Sequence, residues 1–232
     1  MTEDKREPGK RLFVGIRVSV STANALAGAA ETLARRARDA GIDIRWVAPV
    51  SYHVTLKFLG WTRESALGAV VDALEEAAGD TPRLTLAAAR LGGFPSLEKS
   101  SVVWAGIAEQ SGALAALAKR VDSGLVRLGF APDQRAFHPH VTLGRLRETR
   151  ALREVVLPLS EQMFGDTRAD SMTLFESETK SSGSVYREVR RISFKTASEP
   201  QKSTSERQTP AVSLDLADTD DGWPRGHHHD DL

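Results

Sequence analysis

Two periodicities alternate along the chain, and their order gives the order of its elements. Residues 11–18 (RLFVGIRV) alternate and carry β-branched side chains, which predicts a strand. Ser21 and Thr22 are placed to cap a helix running through residues 27–40, and Gly41 is placed to stop it. A short apolar run at 44–47 is broken by Pro49, and residues 52–59 (YHVTLKFL) alternate again as a second long strand, ended by Gly60. Leu67, Val70, Val71, Leu74 and Ala78 recur at helical spacing, predicting a helix over 65–78. Residues 83–91 and 101–107 predict two strands of a long hairpin around a Gly/Pro loop (GGFPSLEKS). Leu114, Leu117, Val121, Leu125 and Leu128 stand in register for a helix over 111–128, closed by Gly129. Residues 139–146 (PHVTLGRL) predict a strand, 151–163 carry no clear period, and 171–177 with 184–194 predict a closing pair of strands.

Strands flanking helices, with several hairpins, favour an α+β fold over a doubly wound parallel sheet. The expected organisation is a flexible leader at 1–10, one folded body at 11–196 and a tail at 197–232. The tail turns to Ser, Thr, Asp, Glu, Gln and Pro and loses all period, so disorder is expected there. It holds eight acidic and three basic residues, a net of −5, and the body carries the balancing +5. A mildly basic body suits an anionic ligand. Cysteine is absent, which removes disulfides, thiolate nucleophiles and Cys-based zinc sites from consideration and fits a reducing compartment. With no apolar run of about 18 residues and no signal-peptide pattern, the expectation is a cytoplasmic protein away from the membrane. No oligomerisation surface is legible, and a monomer is expected.

One tetrapeptide occurs twice: His53-Val54-Thr55-Leu56 and His140-Val141-Thr142-Leu143. Each lies in a predicted strand. Side chains alternate along a strand, so each His shares a face with its Thr while Val and Leu face the core. A single copy is weak evidence, but two on matching strands are strong. Imidazole titrates near neutrality, at about 6.5. Two facing imidazoles therefore divide the roles of base and acid between them, and the hydroxyls donate to phosphate oxygens where charge builds. The pattern suits phosphodiester cleavage without a metal or other cofactor.

The paired motifs resemble the two-histidine phosphoesterase superfamily, and within it the bacterial and archaeal RNA 2′,3′-cyclic phosphodiesterases, also called 2′-5′ RNA ligases. The resemblance runs beyond the motifs. It includes Arg11-Leu12-Phe13-Val14, then Trp46 and Pro49 before HVTLKFLG at 53–60. It continues through Phe94-Pro95, Val103-Trp104-Ala105-Gly106, and Phe137 with PHVTLGR at 139–145. Leu174-Phe175-Glu176-Ser177, Gly183 and Tyr186 close it. It implies a bilobal α+β fold, with two pseudo-twofold-related lobes of mainly antiparallel sheet around a central cleft. It also implies hydrolysis of a 2′,3′-cyclic phosphate, on RNA or a small cyclic nucleotide, to a 2′-phosphate. His140 would be the base for water, His53 the acid for the 3′-oxygen, and Thr55 and Thr142 the phosphate binders.

Three further residues are candidate substrate contacts. Lys57, at i+4 from His53, is expected on the same strand face. Arg145, at i+5 from His140, is expected on the opposite face unless a bulge near Gly144 turns it. Phe137 is either a base platform or a core anchor, the latter slightly favoured. Trp46 and Trp104 are expected to pack, His138 to be a loop histidine, and the run His227, His228 and His229 to bind no designed metal. Joining ends through a 2′-5′ linkage, or cleaving 2′-5′ oligonucleotides, would use the same residues. A non-catalytic RNA-binding module would have no use for two intact motifs, and a zinc hydrolase lacks a third ligand at convincing spacing.

Overall fold

The computed structural model describes residues 7–180 and 183–194. The first six residues of the expected leader, and the whole of the 197–232 tail with its three histidines, lie outside the described residues. Within them the chain forms β1 (Gly9–Arg17), α1 (Val20–Asp39), β2 (Arg45–Trp46), β3 (His53–Arg63), α2 (Leu67–Ala78), β4 (Leu84–Ser96) and β5 (Lys99–Ala108). There follow α3 (Ala113–Arg127), β6 (His140–Arg150), α4 (Arg153–Val156), β7 (Met163–Ala169), β8 (Ser171–Lys180) and β9 (Gly183–Ser193).

The strands make one antiparallel sheet in the order β7-β4-β5-β6-β3-β1-β8-β9, with β2 paired to β6 beside this path. The fold is α+β, and its two lobes are the two halves of a single continuous sheet that meet where β6 and β3 touch. Exchanging the halves maps β5 onto β1, β4 onto β8 and β7 onto β9, which is the pseudo-twofold relation that the repeated motif anticipates.

Helices cover one face. Leu26, Ala29, Ala30, Leu33 and Ala37 form the buried stripe of α1, and Leu114, Leu117, Ala118, Val121 and Leu125 that of α3, both at helical spacing. They pack on Val14, Ile16, Val54, Leu56, Val141 and Leu143 from the central strands, each with under one-tenth of its surface exposed. α1 lies against β6 and β7, while α2 and α3 lie together under β3, β8 and β9. The opposite face of the sheet is left for the site.

Local chemistry explains three departures from the sequence reading. Ser19, not Ser21 or Thr22, caps α1: its hydroxyl accepts from the Thr22 N–H at 3.2 Å, and Ser19 itself is anchored through Thr167 Oγ1 at 2.9 Å. The Gly/Pro stretch read as a loop is mostly strand. Gly92 is needed there because a Cβ would stand 2.3 Å from the Trp104 ring laid across it. β7 was hidden in an unassigned stretch because its alternation is broken by Gly165, at φ +92°, beside a register shift at Ala88/Ala89.

Candidate active site

β3 and β6 share one register pair, Val54 with Val141, and diverge from it. Antiparallel pairing there sets Thr55 level with His140 and His53 level with Thr142. The two His-x-Thr motifs thus interlock across the middle of the open face, with their Val and Leu residues in the core beneath.

Each imidazole is oriented in the same way. His53 Nδ1–H donates to the Ser51 carbonyl at 2.7 Å, and His140 Nδ1–H donates to the His138 carbonyl at 2.7 Å. A carbonyl only accepts, so the neutral rings carry their proton on Nδ1 and leave Nε2 as the basic atom. The Thr55 hydroxyl donates to His53 Nε2 at 3.1 Å. Thr142 holds the equivalent place in the second motif, half-buried on the same face as His140.

Aromatic rings back both histidines. Phe13 lies 4.8 Å and Tyr186 5.3 Å from the His53 ring, with Phe175 stacked on Phe13 at 5.0 Å. Phe94 meets His140 edge-on at 4.9 Å, and Trp104 stands 6.4 Å away. Gly15, across from Thr55, makes room on the first side. A Cβ there would stand 2.8 Å from the Val54 carbonyl and 3.1 Å from His53 Cδ2. On the second side a cavity of about 280 Å³ opens beside His140, lined by Ala89, Phe94, Trp104, Gly106, His138 and Pro139 among others. A larger one, about 390 Å³, lies by the end of α1 around Ala37, Asp43 and Trp46 and contains neither motif.

Burial in this apolar setting disfavours the charged rings. It pushes His53 down to about 4, against the Ser51 carbonyl, which favours the proton, and with help from the charges of Arg17, His140 and Arg145. His140 is lowered by the same burial and by Arg145, against the His138 carbonyl. Both are therefore neutral at pH 7 in the free protein. Arg17 pairs in register with His53, donates to the Val50 carbonyl at 2.9 Å and lies 4.8 Å over the Phe175 ring.

The flanking candidates are sorted by a pair of β-bulges. The β1–β3 register jumps from Gly15·Thr55 to Val14·Lys57, leaving Leu56 extra, and the β5–β6 register jumps from Trp104·Thr142 to Val103·Gly144, leaving Leu143 extra. Each bulge falls on the fourth residue of its motif and reverses the alternation beyond it. Arg145 is therefore turned to the face of His140, exposed, and near enough for its charge to be felt at both histidines. Lys57, expected on the face of His53, is turned away from it. It is 2% exposed beneath α3, bonded to Asp122 at 2.5 Å and to the Ala131 carbonyl at 2.9 Å, with Asp133 at 3.4 Å. Phe137 is half-buried against the core. Trp104 packs, but also lines the cavity beside His140, and its Nε1–H is buried with no partner among the described residues. Sequence reasoning passed over Arg17 and Gly15 as parts of the site, since neither belongs to a motif, and it met Phe13, Phe94, Phe175 and Tyr186 only through the resemblance. Among the described residues no three His, Asp or Glu side chains converge as a metal set, and no helix is long and apolar enough to cross a membrane.

A single curled antiparallel sheet that holds two His-x-Thr strands back to back defines the two-histidine phosphoesterase fold, and solved structures share it. TT0787 of Thermus thermophilus superposes with a TM-score of 0.68 at 24% identity, covering 81% of this chain and 99% of the other. LigT of E. coli, complexed with NADP+, does so with a TM-score of 0.60 at 24% identity, over 81% and 99%. A family model for the 2′-5′ RNA ligase superfamily matches residues 23–180, and the chain belongs to that superfamily. A protein named RNA 2′,3′-cyclic phosphodiesterase from Aeropyrum pernix is 30% identical over 150 residues, 63% of this chain and 84% of its own. Its namesake from Aquifex aeolicus is 29% identical over 179 residues, 76% of this chain and 93% of its own.

Proposed function

We propose that this protein hydrolyses RNA 2′,3′-cyclic phosphate ends to 2′-phosphates without a metal, using His53 and His140 as an acid–base pair. The observation that carries this reading is the matched orientation of the two rings. Each imidazole is pinned through Nδ1 to a main-chain carbonyl two residues earlier, and each presents Nε2 to one shared face. The names of the relatives from Aeropyrum pernix and Aquifex aeolicus support the same chemistry.

His140 Nε2 takes a proton from water as the water oxygen attacks phosphorus. The P–O3′ bond breaks, and His53 Nε2–H delivers its proton to the departing 3′-oxygen, leaving a 2′-phosphate and a 3′-hydroxyl. Water supplies one proton and the 3′-oxygen receives one, so the pair ends with its proton exchanged between the two rings. Burial lowers both rings, and the depth of the His53 setting supports this polarity. A ring whose proton affinity is pushed down to about 4 is a weak base and, once protonated, a strong acid, which suits His53 to the leaving group. The incoming phosphate anion supplies the opposite charge that lets His53 hold its proton. Thr55 and Thr142 donate to the non-bridging oxygens, and the Arg145 guanidinium offsets the charge that builds on them.

The test is hydrolysis, in EDTA, of an oligonucleotide ending in a 2′,3′-cyclic phosphate, with the product identified. Wild type should yield the 2′-phosphate, and His53→Ala and His140→Ala should each lose about two to four orders of magnitude in kcat/KM. Wild-type rates in either variant, or loss of activity on chelation alone, would overturn the reading. A dominant 2′-5′-linked product would make ligation the physiological direction for the same residues.

A further inference from the structure

Two large aromatic side chains stand uncovered on the face that carries the histidines. Phe58 is 64% exposed and Trp61 62% exposed, whereas Phe13, Phe164 and Phe175 are almost fully buried. Both belong to β3, the strand of His53. Phe58 pairs with Phe13 and Trp61 with Arg11, and Phe13 is itself in contact with the His53 ring. Since Leu12, Val14 and Ile16 face the core, Phe13 and Arg11 look the other way, and their partners Phe58 and Trp61 look with them. Trp61 is held down rather than loose. Its indole lies against Gly9, where an added Cβ would stand 2.8 Å from Nε1. Phe58 lies 5.9 Å from Phe13, so rings run without interruption from His53 outward along the strand. The two ring contacts place the Phe58 ring within about 11 Å of the His53 ring, and Trp61 stands three residues further out along β3, about 10 Å beyond Phe58 at roughly 3.3 Å per residue.

We propose that Phe58 and Trp61, with the exposed Arg11 guanidinium beside Trp61, form a stacking subsite for the bases of single-stranded RNA upstream of the reacting end. The inference rests on the phosphodiesterase reading and names its substrate class: an oligonucleotide, preferred over a cyclic mononucleotide. The chemistry selects this occupant. A base presents a flat apolar face to an exposed ring and a phosphate to a neighbouring cation, and stacking is indifferent to which base is present. Continuity with the histidines fixes the direction. A 2′,3′-cyclic phosphate closes the 3′ end of its strand, so only upstream nucleotides extend from the cleft, and the row of rings leads away along β3.

Binding tests it most directly. The probe is a labelled five-nucleotide RNA ending in a 2′-phosphate, compared with the same backbone carrying abasic upstream sugars. Trp61→Ala should weaken the intact RNA by about tenfold, and the Phe58→Ala/Trp61→Ala double variant by more, while Trp61→Phe restores most of the affinity. All four proteins should bind the abasic strand equally and weakly. In turnover, the ratio of kcat/KM for the cyclic-ended oligonucleotide to that for a 2′,3′-cyclic mononucleotide should fall by the same factor. Unchanged RNA affinity in the double variant, equal losses on the abasic strand, or a change of oligomeric state in place of a change in affinity would each overturn the proposal. Failure of the two readings is separable. Stacking-dependent binding without hydrolysis overturns the phosphodiesterase and keeps the subsite, whereas hydrolysis with an unaltered ratio does the reverse.

Discussion

At His53 several effects compete for one proton. Desolvation among Phe13, Phe175 and Tyr186 removes it, the Ser51 carbonyl favours it, and three neighbouring positive charges oppose it, with a result near pH 4. A one-unit shift corresponds to about 1.4 kcal/mol of differential interaction, so the apolar cage is the dominant influence on the site's chemistry. In the proposed mechanism the productive form of the pair carries one proton. In the free enzyme both rings are lowered, so that form is lost as pH rises through values below the usual 6.5. The kcat/KM profile should therefore be a bell with its maximum on the acid side of 6.5. The kcat profile should lie at higher pH, because bound phosphate raises both groups. Arg17→Met removes one of the opposing charges and should move the His53 titration upward when followed by NMR of the ring. A profile flat between about pH 5 and 9 would sink the acid–base assignment. Stability carries the same sign. The unfolded chain binds the His53 proton near 6.5 and the folded chain only near 4, so stability should fall as pH drops through that interval and level off below it.

At the scale of elements, the two bulges decide what each motif strand presents. The sequence shows the motifs and their alternation plainly, and on that basis the placement of His53, Thr55, His140 and Thr142 on one sheet face was legible. It could not show that Leu56 and Leu143 are each an extra residue, because a bulge is set by the partner strand's register and leaves no mark on the period of its own strand. Hence the face expected for Lys57 was reversed, while Arg145 reaches the face of His140 through the bulge near Gly144 that the sequence left open. The bulge gives Lys57 a structural job: it ties the His53 strand to α3 through Asp122 and to the segment before β6 through Ala131 and Asp133. Burial raises the Asp122 carboxyl, but the Lys57 ammonium and the Asp133 N–H outweigh it and hold the group below the usual carboxylate range. Removing the carboxylates strands a buried ammonium, whereas removing the ammonium leaves carboxylates that water still reaches. Asp122→Ala with Asp133→Ala should therefore cost about 3 kcal/mol or more. Lys57→Met should cost clearly less, read as Tm or denaturant midpoints. The opposite ranking would mean that the lysine acts through packing rather than charge.

On the scale of the whole molecule, the pseudo-twofold sheet makes the last strand matter far from its own position. Among the described residues β9 pairs only with β8, yet it brings Tyr186 edge-on to His53 and covers the β8 edge. Ile192 and Phe194 are buried, and the Phe194 N–H donates to the Asp170 carbonyl, so the described residues are anchored to the core up to residue 194. Its counterpart across the twofold, β7, is pinned on its outer side by α1 through Ser19, Thr22 and Thr167. β9 has α2 and the Arg190–Glu75 pair in that role. Truncation after residue 196 should leave the Tm and the turnover of a cyclic-phosphate end nearly unchanged. Truncation after residue 182 removes the cover of Ile192 and Phe194 from the core and strips one ring from the cage that lowers His53. It should lower Tm sharply, and in whatever fraction stays folded the His53 titration should move up towards 6.5 as water enters. Loss of activity on the first truncation would assign the tail a part in the site. An unaltered His53 titration after the second would show that Phe13 and Phe175 suffice to desolvate the ring.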